Sequence, residues 1–384
     1  MNVPVAMVAG EASGDLLAAS LLAPLRDRVP GLAAYGIGGP RMAAEGFRVD
    51  WPIDKLAVRG YVEVLRHYSE ISGIRKELTR RLLAQPPAAF IGIDAPDFNL
   101  DLEVRLREAW RGQRRPVIHF IGPSIWAWRG KRIEKIARAV DHILVVFPFE
   151  EEIYREAGIV ATYVGHPLAD VIPIAPDRAA ARRTLGLPDD ARVVALMPGS
   201  RLSEIGYMAA TFIDAAALLR RRDPALRFVV PMAGPAARAA FDAIATERHP
   251  DLSLQIVDGQ SHAVLAAADA VLVASGTATL ETALFKRPMV IAYKMAAFTA
   301  IVMRRMGYLP WVGLPNILAR EFVVPEFLQE AATPEALADA LAFQLDDDAN
   351  RRRLGERFAA MHETLRRNTG ERAAAVIADA MANA

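Results

Sequence analysis

A chain of 384 residues is too long for one comfortable hydrophobic core and suits two domains. With 46 Lys plus Arg against 45 Asp plus Glu, the net charge of +1 excludes bulk electrostatic binding to nucleic acid, so an anionic partner has to be met by local groups. The absence of cysteine excludes disulfides, thiolate metal sites and a Cys nucleophile, and it fits a reducing compartment.

The chain opens straight into a β-prone run, Val3 to Val8, with no basic stretch or cleavage signal before it. No uncharged apolar run is long enough to span a bilayer, so a cytoplasmic protein with at most peripheral membrane contact is expected. Further strand-like runs follow at Ala33 to Ile37, Ala89 to Asp94, Val117 to Ile121, Ile143 to Phe147 and Thr162 to Val164, alternating with helical patterns. That rhythm predicts βαβ units and a mostly parallel sheet covered on both faces. The second half repeats the plan at Val193 to Met197, Arg227 to Val230, Leu254 to Val257, Ala270 to Ala274 and Met289 to Ala292. Expected boundaries are an N-terminal α/β domain over 1–165, a proline-marked hinge over 166–187 and a C-terminal α/β domain over 188–345. Helices over 346–384 are expected to pack back on the first domain or on a partner subunit.

Several strand ends carry candidate chemistry. The first strand runs into Gly10-Glu11-Ala12-Ser13-Gly14-Asp15, where glycines allow close backbone approach to a ligand and Ser13 or Asp15 suits a helix cap. The spacing is not a dinucleotide fingerprint, and a plain strand-to-helix turn explains it as well. The run Phe90 to Ile93 ends in Asp94, with Asp97 and Asn99 just beyond. A carboxylate at the C-terminal edge of a parallel strand stands where open α/β sheets keep their crevices. Asp94 is therefore a candidate general base, while Asp97 and Asn99 read equally as caps of the next helix; Pro96 argues against a helix through this point. The loop Gly122 to Arg129 brings Trp126, Trp128 and Arg129, a wall for a sugar or acyl chain with cations for phosphate. His166, between Gly165 and Pro167, is the histidine to watch at the hinge; the other histidines are too scattered for a metal site.

In the second half, Gly199, Ser200 and Arg201 offer a turn with backbone donors and a guanidinium fork suited to a diphosphate, against the simpler reading of an Arg201–Glu204 surface pair. Ser275-Gly276-Thr277 turns from a strand into a helix whose N-terminus favours an anion. Glu281, expected in the first turn, has the chemistry to accept from both ribose hydroxyls. Neither a metal nor any other cofactor is expected.

Taken in order, GEASGD (10–15), IGIDAPDFN (91–99), PSIWAWR (123–129), Gly165-His166, LMPGSR (196–201), ASGTATLE (274–281) and LPNIL (314–318) resemble the lipid-A-disaccharide synthases from end to end. The resemblance implies a GT-B architecture, two Rossmann-like domains facing across a cleft. It also implies metal-free, inverting transfer of 2,3-diacylglucosamine from UDP to 2,3-diacylglucosamine 1-phosphate. It assigns Asp94 as base, Arg201 and Asn316 to donor binding and Glu281 to the ribose. Glu11, Ser13, Gly14, Asp97, Trp126, Arg129 and His166 are expected as further substrate-binding residues. The resemblance further implies a homodimer and contact with the cytoplasmic face of the inner membrane through an apolar patch around Tyr61 to Ile74, which His67, Tyr68, Ser69 and Glu70 make more polar here. Phe298 to Trp311, with Ile301, Met303 and Met306 beside Arg304 and Arg305, reads equally as an interfacial helix or as a core helix with two exposed arginines. Gly122 and Gly313 stand where serine is expected. Two other classes fit the same residues less fully: a UDP-sugar epimerase and a non-catalytic lipid- or nucleotide-binding protein.

Overall fold

A computed structural model describes residues 2–10, 12–56, 61–297, 299–300 and 307–383. The βαβ rhythm resolves into two compact units, one of Met1–Asp170 with Leu365–Ala384 and one of Val171–Thr364.

The first unit is built on β1 (Val3–Ala9), β2 (Leu32–Gly38), β3 (Arg48–Pro52), β4 (Ala89–Ile93), β5 (Val117–Phe120), β6 (His142–Val145) and β7 (Ala161–Tyr163). They pair in parallel in the order β3-β2-β1-β4-β5-β6-β7. Every residue of β4 and β5 is buried, as befits parallel strands covered on both faces. The helices Tyr61–Ala84 and Pro96–Ala109 lay Leu78, Leu82, Phe98, Leu102 and Leu106 against Ala6, Val8 and Phe90 of the sheet. Burying one such side chain contributes about 1.5–3 kcal/mol. The strand order reverses between β1 and β4, the place where a doubly wound sheet opens its ligand crevice.

The second unit repeats this topology with β8 (Val193–Met197), β9 (Arg227–Met232), β10 (Leu254–Asp258), β11 (Ala270–Ala274), β12 (Met289–Tyr293) and β13 (Glu326–Leu328), ordered β10-β9-β8-β11-β12-β13. Its reversal lies between β8 and β11. The helix Leu202–Arg222 is long and apolar enough to cross a bilayer. Its Ile205, Met208, Phe212, Ile213 and Leu219 instead pack with Val194, Leu196 and Phe228, so it is a core helix.

Two strands have no counterpart in the sequence reading. β3 is an edge strand whose Arg48 and Val49 are exposed, and β13 is three residues long at the opposite kind of edge, so neither shows a buried apolar run. The expected hinge is also more ordered than a linker. Pro167–Val171 and Arg178–Leu185 are helical, and the unit boundary falls at Asp170 and Val171. The chain returns to the first unit at Leu365 rather than at 346, because the helix Asp348–Leu365 stays with the second unit until its last residue. The final helix, Thr369–Asn383, then packs on Ala12–Arg28 so closely that a Cβ on Gly370 would lie 2.4 Å from the Ser20 carbonyl oxygen.

Candidate active site

At the β1/β4 reversal the chain takes up an unusual backbone. Asp94 and Ala95 are both left-handed, with φ of 53° and 45°, and Ile121, at the end of the neighbouring β5, has φ of 73°. Non-glycine residues in this region are strained by about 1–3 kcal/mol each and persist where the surroundings enforce them. Here the Asp94 N–H donates to the Phe120 carbonyl at 2.9 Å, and the Asp94 carbonyl accepts from Asn99 Nδ2 at 2.8 Å. The two kinked residues re-aim the chain into the helix Pro96–Ala109, which starts with Pro96 at its first turn. Proline is well suited to that position because the N–H it lacks has no intrahelical partner there. Pro96 thus starts a helix instead of forbidding one, and Asp94 sits just outside its N-terminus, half-buried.

Asp97 is not a cap. It is exposed, forms an ion pair with Arg132 and lies 3.8 Å from Arg129, so it ties the Asp94 segment to the tryptophan loop. Asn99 is not a cap either; it turns inward.

The GEASGD turn packs directly on this segment. A Cβ on Gly10 would fall 2.2 Å from the Ala95 Cβ, and one on Gly14 3.6 Å from the Ile93 carbonyl oxygen. Ser13 is exposed on the helix Ala12–Arg28, and Glu11 lies outside the described residues. Asp15 does cap a helix, but a different one: its buried carboxylate accepts from Gly39, Arg41 and Met42 N–H, each at 3.0 Å, at the start of Pro40–Ala44. The Asp of the motif therefore braces the loop after β2.

Beyond β5, Trp126 Nε1 donates to Glu150 Oε1 at 2.9 Å. The other Glu150 oxygen accepts from the N–H groups of Val146 and Phe147 at 3.2 and 3.0 Å. Burial outweighs these three donors and pushes the Glu150 carboxyl up to about 7. Trp126 stands edge-on to Phe147 and Phe149, and His166 packs on Phe147 with 5.4 Å between ring centres. His166 Nδ1 accepts from the Leu168 N–H at 3.2 Å, which requires a neutral imidazole, and burial pushes its pKa down to about 4. Trp126 and His166 thus belong to one aromatic cluster, while Trp128 carries Arg129 over its face at 4.2 Å. Gly122 leaves room for Tyr154, whose hydroxyl would lie 2.7 Å from a Cβ there.

In the second unit, Gly199, Ser200, Arg201, Ser275, Gly276, Thr277 and Glu281 converge on one cavity of ≈ 410 Å³ at the β8/β11 reversal. Gly199, with φ of 122°, is required because a Cβ would meet Glu204 Cβ at 2.5 Å. Glu204 Oε2 accepts from the N–H groups of Ser200 and Arg201 at 2.9 and 3.2 Å, so these donors of the turn are already engaged. Arg201 also reaches Glu204, at 3.3 Å, and its exposed guanidinium keeps further donors for an anion. The helix Thr277–Leu284 follows Gly276, whose φ is 146°. The Thr279 N–H donates to the Gly276 carbonyl at 3.1 Å, while those of Thr277 and Ala278, at the first two positions, have no intrahelical acceptor and present the positive end of the dipole. Glu281 is the fifth residue of this helix, not a first-turn residue, and lies half-buried in the cavity wall. Burial raises its pKa, opposed by nearby His262.

Asn316 is not among the residues that line this cavity. It is fully buried, donating from Nδ2 to the Val324 carbonyl and Glu326 Oε1 and accepting at Oδ1 from Val323 and Val324 N–H. These four bonds use its whole capacity, so it braces the segment before β13. The brace meets the anion loop indirectly, because Ser275 Oγ donates to the Val312 carbonyl at 3.1 Å and Glu326 accepts from Val312 and Gly313 N–H. Gly313 is needed there, since a Cβ would lie 2.3 Å from Ile291 Cδ1.

A larger cavity, ≈ 910 Å³, lies at the starts of the first unit's strands beside Pro4, Leu32, Arg48 and Pro86, away from the β1/β4 reversal. Among the described residues no group of three or more His, Asp or Glu is arranged to hold a metal. Sequence reasoning passed over Glu103, Glu150 and Glu326, weighed Asn99 only as a helix cap, and set His119 aside among the scattered histidines. The signal was present for Asn99, Glu103 and His119, as polar residues set within otherwise apolar helical and strand faces.

The family model described as Lipid-A-disaccharide synthetase matches residues 5–377. The lipid-A-disaccharide synthase of Burkholderia pseudomallei (strain K96243) is 58% identical over 375 residues, covering 97% of this chain and 95% of that protein. Among solved structures, the calicheamicin glycosyltransferase superposes with a TM-score of 0.62 at 14% identity, covering 100% of this chain and 99% of that one. A UDP-GlcNAc 2-epimerase from Neisseria meningitidis bound to UDP-GlcNAc gives 0.58 at 11% identity, covering 95% and 99%. These two likenesses concern the fold alone, a pair of Rossmann-like parallel-sheet units. Motifs, fold and the near full-length match agree, and the chain belongs to the lipid-A-disaccharide synthetase family.

Proposed function

We propose that this lipid A glycosyltransferase joins 2,3-diacylglucosamine from its UDP conjugate to 2,3-diacylglucosamine 1-phosphate, with inversion, giving the disaccharide 1-phosphate and UDP. The observation that carries the assignment of roles is that each unit has its own switch point with its own chemistry. One holds a carboxylate on a strained strand end, the other a helix N-terminus beside an arginine and a buried-side glutamate.

Asp94 takes the proton from the acceptor hydroxyl as that oxygen attacks the anomeric carbon, and the bond from that carbon to the UDP oxygen breaks on the opposite face. The departing diphosphate gains its negative charge against the N-terminus of Thr277–Leu284 and the Arg201 guanidinium, fixed groups that need no reorganisation as the charge develops. Glu281 accepts from the ribose hydroxyls. Arg129, held near Asp97, and the Trp126 wall receive the acceptor's phosphate and sugar. Asn316 acts on the donor through the Val312–Glu326 segment.

Exposed Tyr308, Val312 and Phe322, with Trp311 edge-on to Phe322, support peripheral contact with the cytoplasmic face of the inner membrane. In the other candidate segment, Ile71 and Ile74 pack against the core, Glu70 pairs with Lys55 at 2.7 Å, and the side chains of residues 61–68 lie outside the description. Phe298 and residues 301–306 lie outside it too.

The test is incubation with UDP-2,3-diacylglucosamine, with and without the 1-phosphate acceptor, followed by mass analysis. A disaccharide 1-phosphate that forms only with acceptor, with one UDP released per disaccharide, is expected. Acceptor-independent conversion of the UDP-sugar would instead favour an epimerase, and binding without turnover a non-catalytic protein.

A further inference from the structure

Asn99 stands fourth in the helix Pro96–Ala109, yet it is fully buried and points back to the strand ends. Its Nδ2 lies 2.8 Å from the Asp94 carbonyl oxygen, 3.3 Å from that of Val8 and 3.5 Å from that of Ile93. It therefore joins the ends of β1 and β4, the two strands between which the sheet reverses. One turn further along the same face is Glu103, whose Oε1 lies 2.7 Å from His119 Nδ1, and neither side chain is exposed. Burial by itself lowers the His119 pKa, but the Glu103 carboxylate, its hydrogen bond and the charge of Asp94 outweigh this and raise it. Gly92 makes room for the whole cluster, since a Cβ would meet Glu103 Oε1 at 2.0 Å and Asn99 Cβ at 3.2 Å.

We infer that Asn99 is a positioning residue for Asp94, with Glu103 and His119 as the floor beneath it: the amide holds the left-handed Asp94 backbone and so fixes where the carboxylate stands. The residue type follows from the chemistry. Three carbonyl oxygens converge on one side-chain group, so that group has to be a donor, and an ionised Asp would set an acceptor against them. Two consecutive left-handed residues without glycine revert to commoner conformations unless they are held, and the Asp94 peptide is held from β5 on one side and from Asn99 on the other. A base displaced by about 1 Å costs up to about 10²-fold in rate without touching donor affinity.

The inference rests on the reading of Asp94 as the base, and a double-mutant cycle separates the two. Asn99→Ala is expected to lower kcat about 10- to 10²-fold, with KM for both substrates within about twofold. In an Asp94→Ala background the same change is expected to have no further effect, because there is no carboxylate left to place. Losses that multiply across the cycle, or wild-type kcat in folded Asn99→Ala, would overturn the role of Asn99. Normal turnover in Asp94→Ala would overturn the base itself whatever Asn99 does. If the alanine variant does not fold, Asn99→Ser, which keeps a donor but is too short to span the three carbonyls, is put through the same cycle with the same criteria.

Discussion

Gly10 and Ala95 touch across the β1/β4 reversal, with no space for a side chain on Gly10: a Cβ there would lie 2.2 Å from the Ala95 Cβ. The first motif of the chain is thus the packing surface for the residue that follows Asp94. Gly10→Ala should push Ala95 away at a stability cost of about 1–3 kcal/mol and carry Asp94 with it, lowering kcat about tenfold or more. Ala95→Gly on top of it restores the space and relieves φ of 45°, so kcat and melting temperature should recover together. Kinetics and thermal unfolding of the two single variants and the double variant check this; no recovery in the double would mean that the contact is not the cause.

Glu281 predicts a pH dependence on the donor side. A carboxylate that accepts from two hydroxyls has to be ionised, and burial raises its pKa. Affinity for a UDP-sugar, whose diphosphate diester does not titrate in this range, should fall as pH drops, with a midpoint above the ordinary carboxylate value. Calorimetric titration across pH should show this for the native protein and a nearly flat profile for Glu281→Gln.

The Trp126 cluster predicts opposed stability terms. Glu150 binds its proton more tightly folded than unfolded, so the stability it contributes is complete below its ordinary value near 4.5 and is lost as pH rises through about 7. His166 does the reverse: its contribution is complete above 6.5 and is lost as pH falls towards about 4. Chemical denaturation of native protein and Glu150→Gln isolates the first. The difference between them should move in the variant's favour by roughly 3 kcal/mol at most between about pH 4.5 and 7, and a constant difference would contradict it.

Arg201 separates guanidinium from turn. Since the Ser200 and Arg201 N–H groups are engaged by Glu204, the anion contact of this loop rests on the Arg201 side chain. Arg201→Ala should weaken UDP binding by about 1.5–3 kcal/mol, roughly 10- to 10²-fold. Arg201→Lys should recover only part of it, because an ammonium lacks the planar fork. Ser200→Ala should bind UDP normally in the same titration.

What the sequence disclosed follows from burial. β4, β5, β8 and β11 are buried at every position, so their apolar runs stand out and their ends mark both switch points. β3 and β13 are short edge strands without such a run and left no trace. The candidate site was legible as motifs, not as the hydrogen bonds each residue makes. Asp15 and Asn316 sit in strong motifs yet spend their hydrogen bonds on neighbouring loops, a fact that depends on partners 24 and 8 residues away. Pro96 misled because its effect depends on helix position: obstructive in an interior, favourable at the first turn. Asn99 was invisible as a brace, because the carbonyls of Val8 and Asp94 meet only in the folded sheet.

The central claim is that Asp94 performs the proton transfer while the second unit holds the nucleotide. Turnover and UDP affinity measured together on Asp94→Ala test it most directly. The account predicts a fall in kcat of about 10²- to 10⁴-fold with the Kd for UDP within about twofold of the native value. Near-native turnover, or a loss of UDP binding that matches the loss of rate, would contradict it.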